Sequence, residues 1–211
     1  MFRLFAAIFA ISIYSTVGML HAQNASSSSR ATSHQKASTL DPGTFDANVY
    51  RNPALGFTYK VPYGWVDRTQ DMQQDATQDN EAGKSQVLLS VFERPPGAPG
   101  NTVDSAVVIA AESVSSYPGL KSPADYFGPL TELTTSKGFK VLNQPYEFPV
   151  DAKPIIRADY VKKESGLPMQ QSSLVMVAKG YVISFTFIGG NEDEVTELIE
   201  GLSFGVKKSA H

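Results

Sequence analysis

The chain has no cysteine, and its only histidines are His21, His34 and His211. All three fall outside the stretch whose hydrophobic pattern reads as a folded body. Ser-His-Asp triads, Cys-His pairs, thiolate nucleophiles and His- or Cys-ligated zinc are therefore excluded from that body. A lipoprotein anchor is excluded as well, because it needs an acylated cysteine. Basic runs are scarce: the pairs Lys162-Lys163 and Lys207-Lys208 stand in a chain of net charge -3 and pI about 5.6. No nucleic-acid partner is expected, since such binders carry a basic face or stripe. Also missing are a Gly-x-Ser-x-Gly elbow, a phosphate loop, a dinucleotide fingerprint and any repeat of solenoid length.

What is present is an ordinary globular composition, 42% hydrophobic and 18% charged over 211 residues, which argues against overall disorder. Residues 1–22 read as a signal peptide: Arg3 is the positive start, Leu4 to Leu20 is mostly apolar, and small Ala22 offers a cleavage site. A retained anchor is the competing reading, but Ser12, Ser15 and Thr16 weaken a span that is short against the ~20 apolar residues a bilayer needs. Cleavage is expected, leaving no stable membrane insertion. Residues 23–47 are Ser/Thr-rich and read as a flexible linker that cannot repay its ordering entropy. Asn24-Ala25-Ser26 is a glycosylation sequon only in a host with that machinery. Ser33-x-x-Lys36 has the spacing of penicillin-interacting enzymes, but a linker supplies no oxyanion hole. An exported body of roughly 160 residues buries about 70% of its unfolded surface and can stand without disulfides. Export without cysteine fits a bacterial envelope, periplasmic or secreted.

The folded domain is expected over residues 48–204, with 205–211 as a tail. Asn52-Pro53 and Gly56 make a turn between short strands. Phe57, Tyr59 and Val61 alternate onto one face. Pro62 and Gly64 end that ladder in a bend. Residues 70–84 are polar and read as a loop with one helical turn at most. Strands are expected at 86–92, apolar on both faces, and at 105–111, 139–142 and 155–161. A hairpin is expected to join 172–178 to 181–188 across Lys179-Gly180. A helix starts at Ser122-Pro123-Ala124-Asp125, and Pro129 should kink it or split it in two. The last helix is capped by Asn191, has Glu192, Asp193 and Glu194 at its positive end, and carries the stripe Val195, Leu198, Ile199, Leu202. Strands, helix, strands, helix implies an α+β fold: a mainly antiparallel sheet with helices packed on its faces.

Tyr50-x-Asn-x-x-x-Gly-Phe-x-Tyr-x-x-Pro-x-Gly-Trp65 resembles the opening of PsbP-like domains. Tyr181 to Phe204, a strand of alternating aromatics followed by a helix, resembles their ending. The resemblance implies a PsbP-like α/β/α sandwich. It implies no catalytic residue, because Gly56, Phe57, Pro62, Gly64 and Trp65 read as turn and core. Members of this superfamily serve as accessory subunits, binders of small GTPases or exported bacterial proteins.

Candidate sites follow from residue type. Asp71, Asp75 and Asp79 stand at i, i+4, i+8, and such hard oxygen ligands could hold calcium as the one cofactor to consider. The spacing misses the calcium-loop signature, so a solvated polar loop is the favoured reading. Tyr63 and Trp65 flank a glycine and could form a binding platform; the alternative is that Trp65 plugs the core. Arg157 and Asp159 share a strand face. They could line a pocket with Glu112 or Arg94, but facing solvent or pairing near an edge is favoured. The expected function is a non-enzymatic accessory or binding protein of the envelope, acting on an envelope protein or small ligand. The alternative is a periplasmic hydrolase that uses carboxylates.

Overall fold

The structure is a computed structural model that describes residues 40–79, 84–100, 102–164 and 166–205. The residues expected to form the leader, most of those expected to form the linker, residues 206–211 and all three histidines lie outside the described residues. Two antiparallel sheets form. The smaller contains β1 (Thr44–Asp46), β2 (Val49–Asn52), β3 (Phe57–Lys60) and β11 (Leu202–Ser203), in the order β1-β2-β3-β11. The larger contains β4 (Val66–Asp67), β5 (Ser85–Phe92), β6 (Ala106–Ser113), β7 (Lys140–Val150), β8 (Lys153–Glu164), β9 (Leu167–Ala178) and β10 (Tyr181–Gly189), in the order β4-β5-β6-β10-β9-β8-β7. The helices are α1 (Thr69–Asp79), α2 (Phe127–Ser136) and α3 (Glu192–Glu200). The expected α+β class holds.

Strand alternation sends side chains to two different cores. From β10, Ile183, Phe185 and Phe187 enter the main core, which α3 and the small sheet cover through Val195, Leu198, Ile199, Phe57 and Tyr59. Phe185 meets Phe57 edge-on at 5.0 Å, an arrangement that favours the ring quadrupoles. On the opposite face, Val182, Val175, Ala158 and Tyr160 join Tyr126, Phe127 and Leu130. We call the first the core face and the second the helix face.

Several expectations are confirmed locally. Asn191 accepts from the Glu194 amide and starts α3 where expected. The helix near Pro129 does come in two pieces, a 3-10 turn at Pro123–Tyr126 followed by α2. The break falls at Phe127 and not at Pro129, because Pro129 then occupies the first turn of α2, where backbone donors have no partner to lose.

Three expectations are corrected. Residues 70–84 are not chiefly loop, since α1 spans three turns. Asp67 accepts from the Thr69 amide and hydroxyl at 2.8 and 2.6 Å, a local turn that opens the helix against β5. The strand expected at 139–142 continues to Val150 despite Pro145 and Pro149. It is an edge strand with register irregularities between Val141 and Tyr146, where missing donors are tolerated. Finally, β1 pairs with β2 inside the stretch read as linker, so the folded part begins ahead of Asn48.

Candidate functional site

Each face of the larger sheet carries a buried carboxylate met by several side-chain donors. On the core face, β8 presents Arg157 and Asp159, which are 7% and 5% exposed. Asp159 lies opposite Ser172 on β9 and Asn143 on β7. Its Oδ1 accepts from Arg157 Nε at 2.8 Å and from the Ser172 hydroxyl. Its Oδ2 accepts from Asn143 Nδ2 at 3.0 Å and from the Tyr146 hydroxyl at 3.1 Å. Arg157 Nη2 also donates to Ser172 Oγ at 3.1 Å, and the guanidinium lies 4.7 Å from the Phe148 ring centre. Burial alone would raise the Asp159 carboxyl. The bonds from Ser172, Arg157 and Asn143, with the Arg157 charge, outweigh it and hold the group below its ordinary value. The Tyr146 hydroxyl is pushed up to about 12 by burial and by the neighbouring Asp159 charge.

The helix face holds the second cluster. Glu112, 3% exposed at the end of β6, accepts from the Tyr126 hydroxyl at 2.7 Å and from the Tyr117 hydroxyl. The two rings meet edge-on at 5.1 Å. Burial and the Glu112 charge raise both phenols, so they remain donors at any physiological pH. Two unrelated-looking segments, the loop after β6 and the turn before α2, are thereby fastened to one strand end. Glu112 pairs across the sheet with Val182, a helix-face residue, whereas Asp159 points to the core face. The two deep carboxylates cannot converge on one substrate.

Between the helices the helix face is partly open. The α1 helix lies over β5, and the Pro123–Tyr126 turn with α2 lies over β7 to β9. On β10 the row Ser184, Thr186, Ile188 is half-buried. The facing rows are buried on both sides: Ala110, Val108, Ala106 on β6 and Val175, Ser173, Gln171 on β9. The result is a half-buried row between two buried ones, here termed the slot, with about 10 Å between the flanking strands by ordinary sheet spacing. Its floor is hydroxylic at Ser184 and Thr186 and apolar at Ile188.

The residues singled out from sequence are scattered. Tyr63 is 94% exposed on the turn after β3, while Trp65 is half-buried against the main core. Asp71 and Asp75 are exposed on α1; Asp71 lies 3.8 Å from Arg68 Nε, and the side chain of Asp79 lies outside the described residues. Among the described residues no three His, Cys, Asp or Glu side chains cluster as a metal site would need. Arg157 and Asp159 pair near an edge, as one reading had it, but they are buried and do not face solvent. They do not line a pocket with Glu112, which lies on the other face. Arg94 is likewise elsewhere, bound to Thr102 and near Asp104. Sequence reasoning missed the Glu112 cluster; the available signal was a single charge ending an apolar strand.

No protein-family model matches the sequence, and no curated protein matches it. Solved structures similar to the chain include PA94 of Pseudomonas aeruginosa, a protein of unknown function, at 15% identity over 56% of this chain and 77% of that one, TM-score 0.36. LpqN, involved in cell envelope biogenesis of Mycobacterium tuberculosis, is 13% identical over 70% of this chain and 82% of its own, TM-score 0.40. A Bacteroides thetaiotaomicron protein is 11% identical over 78% of this chain and 50% of its own, TM-score 0.39. These likenesses are too slight to assign a family or a function. Among the described residues no helix is long and apolar enough to cross a membrane.

Proposed function

We propose that the chain is an exported accessory or binding protein of the bacterial cell envelope, built on a PsbP-like domain. The observation that carries this reading is the slot along β10. It is a half-buried row, Ser184, Thr186 and Ile188, between two buried rows of the helix face. Its own floor brings hydroxyl and apolar surface and no acid, base or nucleophile pair. The deep carboxylates Glu112 and Asp159 are engaged by internal donors, which suits a scaffold better than proton transfer. The leader-like start, the Ser/Thr-rich segment after it and the PsbP-like ends of the domain support the same reading.

Two linked measurements test it. The chain expressed in a bacterial host should be recovered from the periplasm starting near residue 23. A photo-crosslinking amino acid placed at Thr186 should then yield one discrete adduct in the intact envelope, lost on Ser184→Trp. Retention in the cytoplasm removes the export part of the proposal. Adducts from a probe at exposed Lys60 but none from Thr186 remove the slot.

A further inference from the structure

The fold brings together lysines that the sequence keeps apart. Lys137 closes α2, Lys140 opens β7, and Lys162 and Lys163 lie near the end of β8. Lys140 pairs across the ladder with Val161, so one corner of the larger sheet receives all four. Lys162 Nζ lies 5.4 Å from the Phe139 ring centre, and its charge reaches Lys137. Successive strand residues point to opposite faces, so Lys162 and Lys163 flank the β8–β9 hairpin on both sides. Lys140 and Lys163 are exposed and make no ion pair among the described residues. Glu164 is the one acid in the segments 137–142 and 160–169. Glu192 and Asp193, at the start of α3, follow β10, which lies two strands from β8. Exposed apolar residues share the corner. Leu142 is 50% exposed two residues beyond Lys140, where the register is irregular. Leu167, 36% exposed, pairs with Glu164 at the hairpin tip, and exposed Pro168 pairs with Lys163.

We propose that this corner docks the protein on an anionic lipid surface, with the lysines among the headgroups and Leu167 at the acyl boundary. The occupant follows from two chemistries that stand side by side. Each lysine held near an anionic leaflet strengthens binding about fivefold. A soluble phosphate or polyanion would use the lysines and gain nothing from exposed leucines. An apolar protein partner would use the leucines and leave the ammonium groups to be desolvated. A lipid surface takes both, and reversible docking of this kind needs both because either alone binds marginally. The corner is separate from the slot, and the inference stands whether or not the chain is exported.

The test is sedimentation of the chain, as recovered from its expression host, with vesicles of phosphatidylcholine alone and with about one-third phosphatidylglycerol. Binding to the neutral vesicles is subtracted, so an apolar start that partitions by itself does not count. Charge-dependent binding should be present at low salt and fade as salt is raised. Lys140→Gln with Lys163→Gln should cut it about tenfold or more. Lys60→Gln with Lys179→Gln removes the same charge from lysines outside the corner and should leave it within about twofold. Leu167→Ser should weaken it about threefold or more and leave the salt dependence unchanged. All five substituted residues are exposed, so the fold is retained in every variant. Absence of charge-dependent binding overturns the proposal, as does an equal loss in the two double variants. Binding that Leu167→Ser leaves unchanged assigns the lysines to polyanions at large, with soluble polyphosphate expected to compete, and overturns it too.

Discussion

The β5 and β7 edges bound the same sheet, yet β7 is fastened from within and β5 from outside. At β7 the ladder is irregular between Val141 and Tyr146, and across that gap Asn143 and Tyr146 donate to Asp159. The side-chain clamp sits where backbone pairing is poorest. At β5 the ladder to β6 is regular except for one bulge between Val87 and Leu89, and the unpaired side is met by Thr69 and Gln73 of a polar helix. An edge held by hydrogen bonds to a buried carboxylate resists opening until those bonds are broken. An edge held by hydrogen bonds to Thr69 and Gln73 of a helix opens with that helix.

The central strand sets the scale for both edges. Phe185 is fully buried between Phe57 and Phe204, so Phe185→Ala should cost about 4–5 kcal/mol in urea unfolding. A loss below about 1 kcal/mol would mean that the aromatic stack is not the core. Next comes the β7 clamp. Asp159→Ala strands Arg157 in a buried site and should cost about 3 kcal/mol. Asp159→Asn should also change the acid limb. The folded carboxyl titrates below its ordinary value, so its contribution is complete above about pH 4 and is lost as pH falls through the depressed value. Wild type should therefore lose stability relative to Asp159→Asn on acidification below pH 4; parallel curves would contradict the clamp.

The β5 edge should respond more weakly. Thr69→Ala removes the acceptor of the Ser90 amide and a contact to Asp67, worth about 1 kcal/mol together. A cost near that of Asp159→Ala would erase the contrast between the edges. A purely pH-dependent effect lies at the far end of α2. Burial, then the Lys162 charge, push Lys137 down to about 8. The unfolded chain then binds the extra proton between pH 8 and about 10.4, so wild type should gain stability relative to Lys137→Met as pH rises through that window. A flat difference would place Lys137 in water.

Legibility from sequence followed the same contrast. The α3 helix was readable because Asn191 and the Val195, Leu198, Ile199 stripe encode both its start and its buried side. The β9–β10 hairpin was readable from alternation about Lys179-Gly180. The far half of β7 was not, because Pro145 and Pro149 argue against a strand unless its edge position is known. The α1 helix was not, because its stability comes from the strand it covers and not from its own periodicity. Arg157 and Asp159 were visible as a pair on one face. Their burial depends on Phe148, Tyr146 and Ser172, brought together by pairing between three strands.

Native-state hydrogen exchange at Ser90 tests the contrast most directly, read against the Phe185 amide in the same sample. The account predicts that Ser90 exchanges at least 100-fold faster, with little dependence on urea, because it is released when α1 lifts, while Phe185 exchanges only on global unfolding. Equal opening free energies at the two amides, with the same urea dependence, would contradict it.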